Sequence, residues 1–290
     1  MPDSGRPPTS WGTVRLRPYD IDDLSNRDPD AVARFCALIR RTLIPYHQAE
    51  VRGLDGIPEG PALYVGNHNA SIYTPDTYIF AVEACLQRGM GALPYALMHE
   101  WWLERPVINQ ILSPLGAVRA SHDNADRIFA GGHKVLVYPG GDVEAMRTYR
   151  ERHRVNFDGR RGFVRLALRN RVPIIPVVSC GAHESVVILR TNRDLLRRLG
   201  LDRKLRLNVL PLLVALPWGL TVGPPMPIVP FPSQITVEVG AAIVPERTGP
   251  EAAEDDAYVS MWAERIEREM QATMDRLAAE RAARGVWGRK

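Results

Sequence analysis

Residues 62–76 read ALYVGNHNASIYTPD, and this stretch is the clearest guide to the fold. It begins with a short apolar run at 62–65 that is typical of a buried strand. A turn of small and polar residues follows, and a helical pattern then covers about 77–88. The stretch therefore predicts a strand, a loop and a helix in succession, with the loop at the carboxyl end of the strand.

The same alternation of apolar runs and helical patterns recurs along the chain. Further strands are expected at 95–98, 116–120, 135–138 and 173–178. Further helices are expected at about 101–112, 123–131 and 161–170. Because strands that alternate with helices usually pair in parallel, the pattern predicts a single α/β domain. Its largely parallel sheet should be covered by helices on both faces.

Both ends of the chain carry additional predicted elements. Asp30 is a candidate N-cap for a helix that runs to about residue 49. Residues 234–239 alternate between apolar and polar, which predicts an edge or antiparallel strand. Residues 251–284 are rich in Ala, Glu and Arg at i,i+4 spacing and predict a long exposed helix. We therefore expect a loose lead-in over 1–29, one domain over 30–250 and a C-terminal helix over 251–290.

The composition is that of a soluble globular protein, since 45% of the 290 residues are apolar and 24% are charged. This excludes a disordered chain, a collagen and a polytopic membrane protein. The net charge of +4 is too small to argue for a nucleic-acid partner. Cys36, Cys85 and Cys180 are far apart and predict neither a zinc site nor a disulfide framework, so a reducing cytosol is the expected setting. The first eleven residues lack the apolar core of a signal peptide.

One segment, 205–222, is nearly apolar throughout and reads LRLNVLPLLVALPWGLTV. Pro211 and Pro217 would break a membrane-spanning helix, so the segment predicts a buried or interfacial element instead. Residues 190–206, which overlap its start, contain seven Lys or Arg and two Asp. Such a charge run is most often a solvated face. Because a basic run beside an apolar one is also typical of a membrane-surface contact, we favour that interpretation.

Four blocks place polar side chains beyond the carboxyl ends of predicted strands, where ligands collect in parallel sheets. In the first block, Asn67-His68 follows the opening strand and Asp76 begins the next helix. An imidazole in a cleft, oriented by a carboxylate, can act as a general base. The same residues are equally compatible with a loop histidine and a helix cap.

The other three blocks carry features that suit an anionic or polarised ligand. The second block ends a strand with Arg119, and the third is a Pro-Gly-Gly turn at 139–141 whose backbone amides can approach a ligand closely. The fourth places Arg160 and Arg161 at the start of a helix, where guanidinium groups suit a phosphate. Alone, each block is also compatible with an ordinary turn or a solvated arginine.

Taken in order, the four blocks resemble the motifs of the glycerolipid acyltransferase superfamily, the lysophosphatidic-acid-acyltransferase-like enzymes. The resemblance covers about residues 50–240. The sequence departs from the family motifs in two places. Seven residues separate His68 from Asp76, where the family has four. The family's Phe-Pro-Glu-Gly-Thr-Arg block is replaced here by Tyr-Pro-Gly-Gly-Asp-Val-Glu-Ala. Gly140 thus replaces the family's Glu and Val143 its Arg. The Pro-Gly-Gly form is similar to the branch that contains diacylglycerol and phytyl-ester acyltransferases.

The resemblance implies direct O-acyl transfer from acyl-CoA or acyl-carrier protein to a lipid hydroxyl, with no covalent enzyme intermediate, metal or cofactor. His68 would take the hydroxyl proton, and Asp76 would hold and polarise the imidazole. Backbone amides of the Pro-Gly-Gly turn would stabilise the oxyanion. The residues expected to bind substrate or oxyanion are Asn67, Arg119, Gly140, Gly141, Glu144, Arg147, Arg160 and Arg161.

Several alternatives remain at this point. A neutral acceptor such as diacylglycerol is predicted, because Val143 cannot bind a phosphate; the alternative is lysophosphatidate, with Arg119 and Arg161 supplying the cations. A non-catalytic acyl-lipid-binding relative is also compatible with the altered motifs. A nucleic-acid binder is disfavoured, since few aromatic residues interleave with the Arg runs. The expected location is cytoplasmic, peripheral on the inner face of the membrane.

Overall fold

The computed structural model describes residues 17–192, 209–225 and 227–284. Seven strands of this part of the chain form the main sheet, in the order β1-β10-β6-β2-β5-β3-β4, and three more form a second sheet, in the order β7-β8-β9. The strands are β1 (Glu50–Arg52), β2 (Ala62–Gly66), β3 (Tyr95–Met98), β4 (Ala117–Arg119), β5 (Lys134–Val137), β6 (Ile174–Cys180), β7 (Val187–Thr191), β8 (Pro211–Ala215), β9 (Gly219–Val222) and β10 (Thr236–Val239).

The main sheet is largely parallel, as predicted. β2 pairs in parallel with β5 and β6, and β3 pairs in parallel with β5 and β4. β10 runs antiparallel to β6, which confirms the orientation predicted for 234–239; it is not an edge strand, because β1 pairs along its outer side. The shared direction of β2, β5 and β6 brings their carboxyl ends to one edge of the sheet, where the following loops meet.

Helices cover the faces of the main sheet, and prolines set several of their bounds. The predicted helix over 101–112 is two helices, because Pro106 has no N–H to donate to the Trp102 carbonyl and instead begins the second. The helices are α1 (Pro29–Arg41), α2 (Leu43–Tyr46), α3 (Pro75–Arg88), α4 (Glu100–Leu103), α5 (Pro106–Leu112), α6 (His122–Ala130), α7 (Gly141–Ala145), α8 (Gly162–Asn170), α9 (Pro250–Glu254) and α10 (Asp256–Arg284).

The N-terminal helix differs from the prediction at both ends. Its cap is Asp28, whose side chain accepts the N–H of Asp30, so the assignment of Asp30 as the cap was wrong. The helix ends at Arg41 and does not continue to residue 49. Pro45 explains this end, because a proline cannot donate to the carbonyl four residues before it, and the chain resumes as the short α2.

The long C-terminal helix is present, but its prediction as an exposed helix was wrong. One face of α10 packs into the core beside β6, and each large apolar side chain buried in this way contributes about 1.5–3 kcal/mol. The opposite face carries the expected i,i+4 ion pairs, such as Arg265 with Glu269 at 2.9 Å. The buried positions lie on one face, at steps of one, three or four residues: Val259, Trp262, Ala263, Ile266, Met270, Met274 and Leu277.

The apolar segment 205–222 is described from Val209 onward and forms a hairpin of β8 and β9. Leu213 and Ala215 are buried, whereas Leu220 and Val222 are exposed. The described part is therefore neither a spanning helix nor fully buried; it has one face in the core and one in solvent. Residues 193–208, which include most of the basic run, lie outside the described residues. No helix in the described ranges combines the length and apolar character needed to cross a membrane.

Candidate active site

Asn67 joins the carboxyl ends of β2 and β6. Its buried side chain donates from Nδ2 to the Ser179 carbonyl (3.0 Å) and accepts the Ser179 N–H at Oδ1 (2.8 Å). These two bonds extend the pairing of the strands by one residue through a side chain. Asn67 therefore positions the start of the loop that carries His68.

The loop at 67–74 has a strained backbone. Ala70 and Ser71 have φ of 55° and 58°, left-handed values that residues with a Cβ adopt rarely and at a cost of about 1–3 kcal/mol each. Two hydrogen bonds hold them there. The Ala70 N–H donates to Nδ1 of His183 (3.2 Å), and the Ser71 N–H donates to the Ala145 carbonyl (3.0 Å). This tight, left-handed path accommodates the three extra residues between the histidine and the aspartate.

The His68 ring packs against Tyr138, which directly follows the neighbouring strand β5. The ring centroids are 4.8 Å apart at an interplanar angle of 45°. Gly66 makes this contact possible, because a Cβ at that position would lie 2.4 Å from the tyrosine ring. The Tyr138 hydroxyl shares a 2.6 Å hydrogen bond with Thr77 and so cannot swing away freely. The partly exposed imidazole is thus held at the sheet edge by packing.

The imidazole of His68 is neutral near pH 7. Burial lowers the pKa of His68 to about 4, because desolvation penalises the charged form and the Arg147 charge adds to the effect; a hydrogen bond with the Asn69 backbone and the Asp142 charge act against it. The Nδ1 atom is buried and has no hydrogen-bond partner. The neutral ring has one nitrogen that can accept a proton, as a general base must, and the lowered pKa means that it holds that proton weakly.

The buried Glu144 side chain holds the backbone at His68. Its Oε2 accepts the His68 N–H (2.8 Å), and its Oε1 accepts the Asn156 N–H (3.0 Å). Burial raises the pKa of Glu144 to about 7, and the nearby Arg147 charge opposes that rise. Both oxygens are occupied by backbone donors. The structure therefore gives Glu144 a positioning role instead of the predicted contact with substrate.

Arg147 holds the same loop from the other side, and all five of its N–H donors are used. Nη1 donates to the His68 carbonyl at 2.6 Å, so Glu144 and Arg147 together bind both backbone polar groups of the histidine; we call this pair the His68 clamp. A guanidinium with no free donor cannot also bind substrate. Its other acceptors are the carbonyls of Glu144, Glu151 and Arg152 and the Oδ1 of Asn69.

The first glycine of the Pro-Gly-Gly turn makes room for the clamp. A Cβ at Gly140 would lie 2.4 Å from Oε2 of Glu144 and 2.4 Å from the Asn156 carbonyl oxygen. Its φ of −64° is ordinary, so the requirement for glycine is one of space. The Glu144 carboxylate fills the space that a side chain at residue 140 would need.

We expect Gly140→Ala to lower stability by about 1–3 kcal/mol, because the added methyl must displace a buried carboxylate or a backbone carbonyl. The matched control is Gly162→Ala, where a Cβ has nothing within 4 Å. Thermal unfolding of both variants tests this. Equal melting temperatures for the two variants would show that the space at Gly140 is not required.

Asp76 is buried at the start of α3, and its recorded hydrogen bond runs to Asn69, not to His68. Its Oδ2 accepts from Nδ2 of Asn69 at 2.8 Å, and the Oδ1 of Asn69 accepts from Arg147. Burial raises the pKa of the Asp76 carboxyl, and the Asn69 bond opposes this. The Oδ1 of Asp76 is buried without a partner. Asp76 therefore reaches the histidine loop through Asn69 in this structure.

The remaining predicted anion-binding groups are mostly occupied. Arg119 forms a bidentate pair with Asp22, at 2.9 and 2.6 Å, and Arg161 donates to the Ser260 hydroxyl on α10. Arg160 does lie at the Pro-Gly-Gly turn, where it donates to the Pro139 carbonyl (3.1 Å) and pairs with Asp142 (3.3 Å). Of the three arginines, only Arg160 is placed beside the turn.

The two predicted oxyanion amides differ in availability. The Gly141 N–H donates to the Tyr138 carbonyl at 3.0 Å, which closes the turn. For the Gly140 N–H, no backbone bond is recorded among the described residues. The Gly140 amide is therefore the better candidate for contact with a reacting carbonyl.

His183 belongs to the site, although it is not among the residues expected from the sequence to be catalytic or to bind substrate. It follows β6 and is buried; its Nδ1 accepts the Ala70 N–H, so Nε2 carries the proton and donates to the Arg147 carbonyl (2.8 Å). Burial holds the pKa of His183 well below its usual value. The sequence could have indicated this, because His183 follows β6, which is parallel to β2, and the loops after two parallel strands reach the same edge of the sheet.

Comparisons with known proteins identify the family of the chain. The family model for diacylglycerol acyltransferases matches residues 78–279, well over half of the chain. An uncharacterized protein of Mycobacterium bovis is 27% identical over 267 residues, which cover 91% of this chain and 71% of that relative. The human DGAT1/2-independent enzyme synthesizing storage lipids is 30% identical over 196 residues, which cover 67% of this chain and 57% of that relative.

A solved structure shows the same fold. The 1-acyl-sn-glycerophosphate (LPA) acyltransferase PlsC of Thermotoga maritima matches with a TM-score of 0.53 at 15% identity, over 86% of this chain and 80% of that one. The resemblance inferred from the four sequence blocks is thereby confirmed. With most of its length matched by one family model and its architecture matched by a related enzyme, the chain belongs to the diacylglycerol acyltransferase family and is an acyltransferase of the glycerolipid type.

Proposed function

We propose that the protein transfers a fatty acyl group from an acyl thioester, acyl-CoA or acyl-carrier protein, to the hydroxyl of a neutral lipid, with His68 as the general base. One observation carries this proposal. His68 presents its imidazole at the edge where the carboxyl ends of the parallel strands meet, while its backbone N–H and carbonyl are both bound by the His68 clamp.

The proposed reaction is a direct displacement at the thioester carbonyl. The acceptor hydroxyl gives its proton to the imidazole as its oxygen bonds to the carbonyl carbon. The carbon–sulfur bond then breaks, and the departing thiolate takes the proton from the imidazolium. The Gly140 N–H is the proposed donor to the oxyanion. This sequence uses the substrates and the chain alone, with no metal or cofactor.

We further propose that Asp76 orients His68 during the reaction. Nδ1 of His68 and Oδ1 of Asp76 are both buried, and both lack a hydrogen-bond partner. Buried polar atoms without partners are rare, and a histidine–aspartate bond would satisfy both of these. The Ser179 hydroxyl, which lowers the pKa of Asp76, is a second neighbour of this carboxylate. Catalytic hydrogen bonds are often loose before substrate binds. The bond would place a proton on Nδ1 and leave Nε2 to act as the base.

The acceptor is proposed to be neutral because a phosphate would meet few free cations. Arg119 and Arg161, the cations expected for a phosphate, are engaged by Asp22 and Ser260. Beside the turn, the Arg160 charge is already paired with Asp142. A neutral alcohol such as diacylglycerol needs only an apolar path and the base. The proposed location is peripheral, on the cytoplasmic face of a membrane.

A competition assay tests the acceptor. With one acyl-CoA and equal amounts of diacylglycerol and lysophosphatidate in mixed micelles, we expect the neutral acceptor to be acylated about tenfold faster or more, which corresponds to about 1.4 kcal/mol. Intact-lipid mass spectrometry measures both products. A preference for lysophosphatidate that disappears in Arg160→Gln, but persists in Arg161→Gln, would overturn the proposed acceptor and assign the phosphate to Arg160.

A further inference from the structure

We propose that Asn69 is a positioning residue for acyl transfer: its side-chain amide connects the buried Arg147 cation to the buried Asp76 carboxylate, so that the aspartate is available to His68 as an anion. The inference rests on the proposed function, since it assumes the role that is proposed there for Asp76. The sequence assigned no role to Asn69. The contacts that run from Arg147 through Asn69 to Asp76 are called the amide relay.

The amide relay consists of two short hydrogen bonds between three buried side chains. Nη2 of Arg147 donates to Oδ1 of Asn69 at 2.6 Å, and Nδ2 of Asn69 donates to Oδ2 of Asp76 at 2.8 Å. Because a guanidinium only donates and a carboxylate only accepts, the oxygen and the nitrogen of the amide cannot exchange places. The orientation of the Asn69 side chain is therefore determined by its two charged neighbours.

The remaining hydrogen-bonding capacity of the Asn69 amide is used within the same loop. Its Nδ2 also donates to the Asn67 carbonyl at 3.1 Å, and its Oδ1 lies 3.4 Å from Nδ2 of Asn67. An amide has two hydrogens and two lone pairs to offer, and these contacts engage all four. Asn69 therefore acts on the reaction through Asp76, and not by contact with the reacting atoms.

Asp76 needs this support because its carboxyl group is buried. Burial raises the pKa of Asp76, since desolvation penalises the charged form, and the bond from Asn69 is the largest effect that opposes the rise. The five N–H donors of Arg147 all go to other acceptors, so the hydrogen-bonded link between this cation and Asp76 is the amide. Hydrogen bonds in series polarise one another, so the bond from Arg147 strengthens Asn69 as a donor.

None of the other titratable groups that interact with Asp76 or Arg147 in the described part of the chain is a cation near pH 7. Burial raises the pKa of Tyr138 well above its usual value and that of Cys180 to about 11, and it lowers that of His183. Burial also raises the pKa of Glu144 to about 7, so the charge of Asp76 must be measured directly and not inferred from activity alone. These groups are Tyr138 after β5, Glu144 of α7, Glu151 in the following loop, Cys180 of β6, and His68 and His183 in the loops after β2 and β6.

An NMR titration of the whole chain, with its aspartate carboxyl carbons labelled, tests the amide relay. The signal that is lost in Asp76→Asn assigns Asp76. In the wild type we expect this carboxyl to be ionised at pH 7. In Asn69→Ser its titration midpoint should rise by about one pH unit or more, because a strong hydrogen bond to the charged form is lost. The matched control, Asn170→Ser, removes an amide that donates to Asp126 at 2.8 Å, and it should leave the Asp76 midpoint unchanged.

The pH profile of acyl transfer gives a second measurement. A higher pKa leaves more of Asp76 protonated at low pH, and a protonated Asp76 carries no charge to stabilise the imidazolium. On the acid side of the profile, turnover of Asn69→Ser should therefore fall about tenfold below that of the wild type, and it should recover as the pH rises. A purely structural role would lower turnover by the same factor at every pH. Circular dichroism confirms that each variant is folded.

The outcomes separate this inference from the proposed function. A wild-type Asp76 that is protonated at pH 7 would overturn the amide relay, as would an unchanged midpoint in Asn69→Ser; if that variant does not fold, the wild-type measurement decides. A raised midpoint with an unchanged acid limb would overturn the positioning role. If turnover depends on His68 while Asn69→Ser changes neither measurement, the relay is refuted and the proposed function stands. A wild type that acylates no acceptor, with the Asp76 midpoint raised in Asn69→Ser, would refute the proposed function and leave the relay intact.

Discussion

Replacing His68 by alanine is expected to lower turnover by about 10²-fold or more, the scale of general-base catalysis. The melting temperature should change little, because the imidazole is partly exposed and the clamp binds only the backbone of this residue. Steady-state acyl transfer from a labelled acyl-CoA, followed by lipid product, gives the first quantity, and thermal unfolding gives the second.

Two further variants sharpen this test. His122→Ala removes an exposed imidazole at the start of α6 and should leave turnover unchanged. Asp76→Asn keeps an oxygen for the Asn69 amide but removes the charge, so it should reduce turnover if Asp76 orients the base. Wild-type turnover in a folded His68→Ala protein would remove His68 from the mechanism and favour a non-catalytic lipid-binding protein.

Replacing Arg147 by methionine is expected to destabilise the fold by about 3–5 kcal/mol, the cost of removing one partner from a buried charged network. The variant leaves buried acceptors around the loop without donors and removes the charge that favours the Glu144 carboxylate. Urea unfolding at pH 7 measures the loss. Arg147→Lys keeps the charge but supplies three donors, not five, so its stability should lie between that of the wild type and that of the methionine variant.

Arg154→Met is the matched control for Arg147→Met. Arg154 is an exposed arginine seven residues later, with one weak ion pair to Glu151 at 4.0 Å, and its loss should cost less than about 1 kcal/mol. If Arg147→Met unfolded at the same urea concentration as this control, Arg147 could not be a structural centre of the site.

The fold was predictable wherever local pattern and burial point the same way. The apolar runs at 62–65 and 135–137 form strands, and their parallel pairing follows from the helices between them. The predictions of helix end and helix exposure were wrong where the local pattern did not contain the deciding information. Pro45 ends α1 because a proline has no N–H to donate to the carbonyl four residues before it. The buried face of α10 was not predicted because many of its positions are alanine, whose small side chain is compatible with a buried or an exposed position.

The position of the site was predictable from the sequence, but the role of each residue in it was not. His68 and the Pro-Gly-Gly turn could be placed at one edge from the strand pattern alone. That Arg147 binds carbonyls and not substrate depends on its burial, which no spacing reveals. Arg119 is engaged by Asp22, which is 97 residues away in sequence, and such a pairing is visible only once the chain is folded.

The His68 clamp binds the backbone of the proposed base and makes no bond to its ring. His68 is fixed through its N–H and carbonyl, while Nδ1 makes no hydrogen bond. The ring nitrogens can therefore gain or lose a partner without breaking a bond that supports the loop. A base that takes a proton from an alcohol and gives it to a sulfur gains from this arrangement, because the partner of Nε2 can change while the backbone stays still and Nδ1 remains available to Asp76.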